Sequence, residues 1–214
     1  MQNKLIGYYN YTVILTYIGL CAGVIGIFSA CGRGSTFGGV MCLMAAGLCD
    51  AFDGKIAGTM KRTENEKSFG IQIDSLSDIV CFGILPAAIC YSAGMKSVWC
   101  FAILALYVLC ALIRLAYYNV TEEARQKSES GARVYYMGLP VTAASIIFPI
   151  LFLICHITGE KINEYLYIVY SVVCIATAIA FIAPFKVKKI KLVGLIVTVL
   201  LGTIIAAVLA IINL

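Results

Sequence analysis

The sequence has few charged residues, a single histidine and no cysteines in a CxxC arrangement. Charged residues make up 13% of the chain and hydrophobic residues 62%, whereas an average soluble domain is about one quarter charged. Apolar stretches of about twenty residues, the length needed to cross a bilayer, recur along the chain. This composition excludes an ordinary soluble protein. It predicts an integral membrane protein without a sizeable soluble domain.

The scarcity of histidine and of grouped cysteines restricts the metals that the protein can bind. The ten cysteines stand singly within apolar segments, and His156 lies at the end of such a segment. Zinc sites and disulfide frameworks need grouped ligands, so we interpret the cysteines as small core or lipid-facing residues. Any metal must then be bound by oxygen, which favours Mg²⁺ or Mn²⁺.

Seven apolar segments predict an all-α, polytopic membrane helical bundle. The segments are continuous rather than alternating, which argues against a closed β-barrel. The start, "MQNKLIGYYNYT", lacks a small-residue cleavage site, so we expect the first segment to be retained. We expect a six-helix core in residues 1–191 and an extra C-terminal transmembrane helix in residues 192–214. The segments are roughly 11–31, 37–58, 72–93, 97–118, 139–158, 164–184 and 192–213.

Basic residues are concentrated on one side of the predicted bundle. If the N-terminus is cytoplasmic, the opposite side receives only Arg33, Lys96 and Lys161, as the positive-inside rule requires. The net charge of +5 then reflects topology and contact with membrane lipids that have anionic headgroups. No basic–aromatic pattern indicates nucleic-acid binding. The cytoplasmic side receives Lys4, Lys61, Arg62, Lys67, Arg125, Lys127, Arg133, Lys186, Lys188, Lys189 and Lys191.

All four aspartates lie near the cytoplasmic side of two consecutive segments. Asp50 and Asp53 in "LCDAFDG" are three residues apart, and Asp74 and Asp78 in "IQIDSLSDIVCFG" are four apart. Each pair therefore shares a helix face, and a short loop makes the two helices antiparallel neighbours. Clustered carboxylates repel one another, and an ionised aspartate at mid-bilayer costs roughly 2.5–3.5 kcal/mol. Two divalent cations would offset this charge and could clamp a phosphoryl group.

Other interpretations of the aspartates stay open at this point. Polar residues at helix ends can cap helices or reach the interface. A proton- or cation-coupled transporter also uses acids within the membrane, although transporter sites usually lie near the midplane on broken helices. A purely structural membrane protein would leave the four acids unexplained.

The stretch from Asp50 to Asp78 resembles the signature of the CDP-alcohol phosphatidyltransferase family. That signature is D-x-x-D-G-x-x-A-R followed by G-x-x-x-D-x-x-x-D, and this chain has "DAFDGKIAG" and "GIQIDSLSD". The signature has an arginine at the position after Ala57, where this chain has Gly58. Lys55, Lys61 or Arg62 are candidates to supply the missing charge. The stretches "DSLSDIVCFGILPA", "LIRLAYYNV", "YYMGLPVTAA" and "FKVKKIK" resemble the branch of the family that uses serine.

The resemblance implies transfer of a phosphatidyl group from CDP-diacylglycerol to the serine hydroxyl, giving phosphatidylserine and CMP. It implies two Mg²⁺ or Mn²⁺ ions, Asp78 as the catalytic general base, and a homodimer. We expect a bacterial or archaeal cell membrane, and the distribution of basic residues predicts that the site faces the cytoplasm. The implied metal ligands are Asp50, Asp53, Asp74 and Asp78. The implied CDP-diacylglycerol-binding residues are Gly54, Ala57, Lys61, Arg62 and Gly70, and the implied acceptor-binding residues are Arg114, Asn119 and Arg133.

The acceptor could also be glycerol 3-phosphate or an inositol phosphate. A phosphate-bearing acceptor would be expected to need more than one nearby cation. Arg114 is the one basic residue inside the predicted spans after the motif, with Arg133 in the adjoining loop, and this favours serine. Arg114 could instead extend to the interface, and Asn119 could simply end its helix. Gly138 and Pro140 are expected to shape the start of the fifth segment.

Overall fold

The computed structural model describes residues 6–128, 135–158 and 165–188, together with residues 202, 207 and 211. Over these residues the protein is a helical membrane bundle with one short two-stranded ribbon, which confirms the predicted fold class. The helices are α1 (Ile14–Ile27), α2 (Thr36–Ala57), α3 (Glu64–Asp78), α4 (Leu85–Ser92), α5 (Val98–Ser128), α6 (Ala144–Thr158) and α7 (Leu166–Ile182), and the strands are β1 (Tyr135–Met137) and β2 (Lys186–Lys188).

Four of the described helical stretches are long and apolar enough to cross a membrane, whereas α7 is apolar but shorter. Helices occur at the first six predicted segments. The seventh segment and the boundary between 1–191 and 192–214 fall on residues that are mostly outside the described ones, so both stay predictions. The four stretches are Tyr11–Gly32, Glu64–Ser92, Val98–Arg125 and Val141–Thr158.

The third predicted segment is a continuous helix that begins at Glu64, earlier than the expected start at residue 72. A capping box starts it: the Thr63 N–H donates to Glu66 Oε2 at 2.8 Å, and the Glu66 N–H donates to Thr63 Oγ1 at 3.3 Å. A π-helical turn, Ile79–Ile84, joins α3 to α4. Residues 64–71, which lie between two of the predicted segments, therefore form the first turns of the helix.

Pro86 explains how α5 attaches to the middle of this long helix. Proline has no N–H, so the carbonyls about one turn earlier, in the π-helical turn Ile79–Ile84, have one helical donor fewer. The Phe82 carbonyl belongs to this turn and accepts a hydrogen bond from the Tyr107 hydroxyl at 2.8 Å. Tyr107 and Phe82 are 0% and 1% exposed. A side chain of α5 thus replaces the hydrogen bond that the proline removes.

Small residues allow α1 to approach its neighbours closely. A methyl group added at Gly23 would lie 2.7 Å from the Sγ atom of Cys81, a closeness that is typical of membrane helices packed through small residues. The buried positions of α1 are Thr16, Gly19, Gly23 and Gly26. The hydrophobic core of the bundle includes Val40, Leu43, Phe82, Leu85, Tyr107, Phe148 and Phe181.

Every cysteine is free. Some are exposed, such as Cys21 and Cys31, and the buried ones are Cys81, Cys90, Cys100, Cys110 and Cys174. This distribution agrees with the interpretation of the cysteines as small core or lipid-facing residues.

The ribbon of β1 and β2 was not predicted. The two strands are antiparallel, and Tyr136 is paired with Val187 at their centre. The stretch "FKVKKIK" therefore continues into a strand after α7, and "YYM" forms the other strand before α6. Three-residue strands that pair across about fifty residues have no local signature in the sequence.

Gly138 allows the segment that follows β1 to pack closely against the end of α7. Its φ angle is +72°, in the region that favours glycine. Its N–H donates to the Phe185 carbonyl at 2.8 Å, and an added Cβ would lie only 2.5 Å from the Phe181 carbonyl oxygen. Gly138 therefore shapes the start of the next helix, as expected, and fastens it to α7.

Helix α5 continues ten residues past the end expected at residue 118. It has 31 residues and is therefore about 46 Å long, which exceeds the roughly 30 Å hydrocarbon core. Asn119 lies within α5 and does not end it, so the interpretation of this residue as a helix terminator is wrong. The last turns of α5 extend alongside the first turns of α3.

Candidate active site

The aspartates of the two sequence pairs meet in space. One carboxylate oxygen from each of Asp50, Asp74 and Asp78 lies within 4.8 Å of the others. Asp53 lines one small pocket together with these three aspartates, and its carboxyl group is close enough to that of Asp74 for the two to interact. All four residues are half-buried. The two helix faces therefore lie opposite each other, as the spacing of the aspartates predicts.

The local structure explains this arrangement. Asp50 and Asp53 lie in the last turns of α2, which ends at Ala57, and Asp74 and Asp78 lie one turn apart in α3. The connection between the two helices is residues 58–63. Within it, the Thr59 hydroxyl donates to the Ile56 carbonyl at 2.7 Å and is 3.0 Å from the Tyr11 hydroxyl.

The ligand set suits a hard divalent cation. Carboxylate oxygens are the ligands that Mg²⁺, Ca²⁺ and Mn²⁺ prefer, and the spacing of Asp50, Asp74 and Asp78 allows one ion to contact all three. A bound cation would also relieve the repulsion between neighbouring carboxylates, which are poorly solvated in this part of the bundle.

Two pockets reach the aspartates of α3 from different sides. A small pocket is lined by residues of α1, α2 and the third-segment helix, and includes all four aspartates. A cavity of about 770 Å³ lies between α3 and the end of α5. Asp74 and Asp78 line both. Other residues lining the large cavity are Glu64, Lys67, Ser68, Ser75, Leu115, Tyr118, Asn119, Glu122 and Glu123.

The glycines predicted to bind CDP-diacylglycerol differ in their surroundings. Gly54 is exposed, and no atom lies within 4 Å of the place where a Cβ would be. Gly70 lies beside Arg62, since an added Cβ would be 3.0 Å from Arg62 Nη1. Ala57 is the last residue of α2 and is half-buried.

The three basic residues considered in place of the motif arginine also differ. Arg62 is half-buried and lies against Gly70 of the motif. Lys61 is exposed. Lys55 is exposed and its Nζ lies 5.6 Å from the centre of the Phe52 ring. The geometry therefore favours Arg62 as the cation that accompanies the motif.

Arg114 lies inside the bundle and is only 6% exposed. Its Nε donates to the Leu139 carbonyl at 3.2 Å, and its guanidinium lies 5.1 Å from the centre of the Tyr118 ring. It is also close enough to Asp78 for the two charges to interact. Arg114 therefore does not extend away to the interface, and it joins α5 to the segment after β1.

Asn119 connects α5 with α3. Its Nδ2 donates to the Ser75 hydroxyl at 2.7 Å, and both residues line the large cavity. Ser75 was missed by the sequence analysis, although it is a polar residue between the two aspartates of the motif and three residues before Asp78. Arg133, the third predicted acceptor-binding residue, lies outside the described residues.

Comparison with known protein families assigns the chain to one of them. The family model described as CDP-alcohol phosphatidyltransferase matches residues 9–214. The chain belongs to this family. CDP-alcohol phosphatidyltransferases generally depend on divalent metals, in agreement with the oxygen-only ligand set.

Several curated members of the family are similar to the chain. The CDP-diacylglycerol–serine O-phosphatidyltransferase of Saccharomyces cerevisiae is 42% identical over 98 residues, covering 44% of this chain and 34% of that protein. The protein of the same name from Helicobacter pylori strain 26695 is 28% identical over 150 residues, covering 65% and 55%. The archaetidylserine synthase of Methanothermobacter thermautotrophicus is 32% identical over 114 residues, covering 53% and 45%. The chain thus spans between a third and just over half of these relatives.

Proposed function

We propose that the protein transfers the phosphatidyl group of CDP-diacylglycerol to the hydroxyl of L-serine, forming phosphatidylserine and releasing CMP. The observation that carries this proposal is the convergence of the four motif aspartates at the junction of α2 and α3. The names of the similar family members support serine as the acceptor.

Asp78 is the proposed general base, since it lines the cavity between α3 and α5, belongs to the carboxylate cluster and lies near enough to Arg114 of α5 for their charges to interact. It takes the proton of the serine hydroxyl. The serine oxygen forms a bond to the phosphorus attached to diacylglycerol, and the bond from that phosphorus to the bridging oxygen breaks, so that CMP leaves. Asp50, Asp53, Asp74 and Asp78 would hold two Mg²⁺ or Mn²⁺ ions, which supply stabilisation of the charge on the phosphoryl oxygens and on CMP.

The two pockets suggest where the substrates bind. In an in-line displacement, the attacking and leaving oxygens lie on opposite sides of the phosphorus. The nucleotide is assigned to the α2 side, with Gly54, Ala57, Lys61, Arg62 and Gly70. The acceptor is assigned to the cavity between α3 and α5, which the substrate can enter from water because both helices extend to the membrane surface.

Arg114 is proposed to bind the serine carboxylate, together with Asn119 and with Arg133 in the adjoining loop. The guanidinium of Arg114 is held in a fixed orientation by Leu139 and Tyr118, and it faces the same part of the bundle as Asp78. A planar cation in a fixed orientation suits recognition of a carboxylate.

The proposal places the protein in a bacterial or archaeal cell membrane, with the site facing the cytoplasm. The excess of basic residues at the same side as the aspartates supports this orientation. A homodimer formed through membrane helices belongs to the same proposal, as does the contact of Lys61, Arg62 and Lys67 with anionic headgroups.

The test is CMP release by the purified protein in detergent micelles that contain CDP-diacylglycerol and Mg²⁺ or Mn²⁺. Serine, glycerol 3-phosphate and inositol phosphate are supplied separately. We expect release with serine alone, and phosphatidylserine as the lipid product. Release with another acceptor would keep the reaction and overturn serine as its acceptor. Metal flux into vesicles without CMP release would instead support a cation transporter.

A further inference from the structure

The hydrogen bond from Asn119 to Ser75 lies across the wall of the acceptor cavity. The Nδ2 atom of Asn119 is 2.7 Å from the Ser75 hydroxyl oxygen. Ser75 precedes Asp78 by three residues, so the two are neighbours on one side of α3, and Ser75 lines the same cavity as Asp74 and Asp78. Both partners are half-buried and both line the cavity of about 770 Å³.

Helices α3 and α5, which carry this hydrogen bond, are held together deeper in the bundle, next to the end of α3. Helix α5 packs against the π-helical turn Ile79–Ile84, where the Tyr107 hydroxyl bonds the Phe82 carbonyl. Nearer the membrane surface the cavity separates α3 from α5. The Ser75–Asn119 hydrogen bond therefore spans the helices at the level of the aspartates, where the acceptor has to pass.

The hydrogen bond also fixes the orientation of the Asn119 side chain. A carboxamide has one oxygen that accepts and two N–H groups that donate. When one N–H group is bound to Ser75, the amide plane cannot rotate freely, and the remaining polar atoms keep one orientation. A side chain held in this way recognises a small polar ligand better than a freely rotating one, because less freedom is lost on binding.

We propose that Ser75 is a positioning residue for the acceptor. Its hydroxyl holds the Asn119 carboxamide in the cavity wall, and this carboxamide binds the polar groups of the acceptor next to its reacting hydroxyl. The inference rests on the proposed function, because it requires that an acceptor alcohol enters this cavity. It adds a residue that the family motif leaves unassigned, and a specific partner for it.

The experiment compares the acceptor dependence of CMP release in Ser75→Ala, Asn119→Ala and the double variant, each purified as the full chain. We expect KM for the acceptor to rise about five- to tenfold in Ser75→Ala, as for the loss of one hydrogen bond, while KM for CDP-diacylglycerol changes less than about twofold. Because Ser75 acts through Asn119, the double variant should match Asn119→Ala rather than show the product of the two effects. Ser75→Thr keeps the hydroxyl and should restore most of the affinity.

Ser92→Ala is the matched control. The Ser92 hydroxyl is 2.9 Å from the Thr36 hydroxyl, so this substitution also removes a hydrogen bond between two helices. Ser92 is the last residue of α4 and lies beside the start of α2, at the opposite end of that helix from Asp50 and Asp53. We expect its KM for the acceptor to equal that of the unaltered protein.

Three outcomes would overturn the inference. In the first, the unaltered protein releases CMP with an acceptor, but Ser75→Ala keeps the same KM for it. In the second, the effects of the two single variants multiply in the double variant. In the third, KM for both substrates and the melting temperature change together, as for a purely structural contact. If the unaltered protein releases CMP with none of the acceptors, the proposed function fails, and the inference fails with it.

Discussion

The two halves of the helix Glu64–Ser92 have opposite properties, although one continuous stretch of chain forms both. In α3, carboxylates of like charge lie close together, half-buried, and open to two pockets. In the π-helical turn and α4, side chains such as Phe82, Leu85 and Ile89 are 0–1% exposed, and the carbonyl freed by Pro86 has a buried donor. The first half carries the polar groups of the candidate site, and the second half is packed as core. A well-packed support beside a polar site favours precise positioning of its side chains.

The largest expected effect is in the first half. Asp78→Asn removes the proposed general base and a metal ligand, and we expect kcat for CMP release to fall by about 10³-fold. Without metal, the melting temperature should stay the same or rise, because one of four repelling carboxylates is gone. Enzyme assays and thermal melts in metal-free buffer test the two parts. A large loss of stability would contradict the division between the halves.

The second largest expected effect is a loss of stability at Gly138, where the segment after β1 contacts the end of α7. Gly138→Ala forces a Cβ to within 2.5 Å of the Phe181 carbonyl oxygen and strains a positive φ angle, so we expect a loss of about 3 kcal/mol of stability. Gly34→Ala is the matched control, since Gly34 has φ +66° and no atom within 4 Å of an added Cβ. Gly34→Ala should lower the stability by about 1 kcal/mol. Equal losses in thermal melts would show that the backbone angle alone matters.

A smaller effect on stability is expected in the second half of the helix Glu64–Ser92, at the π-helical turn. Tyr107→Phe leaves the Phe82 carbonyl buried without its donor, and we expect a loss of about 1–3 kcal/mol in stability. Pro86→Ala supplies an N–H group to the same turn. Unfolding measurements on the two single variants and the double variant form the test, in which Pro86→Ala should reduce the cost of Tyr107→Phe. Additive losses would mean that the tyrosine does not compensate for the proline.

The smallest expected effect distinguishes two cations near the motif. Arg62 lies against Gly70, whereas Lys55 is exposed beside the Phe52 ring. Arg62→Ala should raise KM for CDP-diacylglycerol about tenfold, which corresponds to about 1.4 kcal/mol. Lys55→Ala should change it less than about twofold. KM values measured at fixed detergent concentration decide between them, and a larger effect at Lys55 would reverse the assignment.

The sequence predicts the arrangement of the aspartates well because a helix repeats every 3.6 residues and the connection from α2 to α3 is short. It also predicts α2 to within one residue at each end. The early start of α3 was missed, although Thr63 and Glu66 have the spacing of a capping box. The sequence does not predict the last turns of α5, because hydropathy alone marks only the part of a helix that lies in lipid.

Contacts between distant residues could not be predicted from one sequence. The Arg114 hydrogen bond to Leu139, the pairing of β1 with β2 and the contact of Asn119 with Ser75 each join residues that are at least 25 positions apart. No local pattern specifies such partners, and they depend on how the helices pack. These contacts decide which polar residues lie beside the aspartates.

The hydrogen bonds beside the ribbon of β1 and β2 join residues that are made early to residues that are made late in synthesis. Leu139, the partner of Arg114, is held by the Ala180 carbonyl, and the adjacent Gly138 by that of Phe185. These carbonyls leave the ribosome well after α2, α3 and α5 have been made. The aspartates can therefore meet in the membrane before translation reaches residue 180, whereas the support of Arg114 has to wait for it. The support of Arg114 is therefore the last part of this region to form in the biogenesis of the chain.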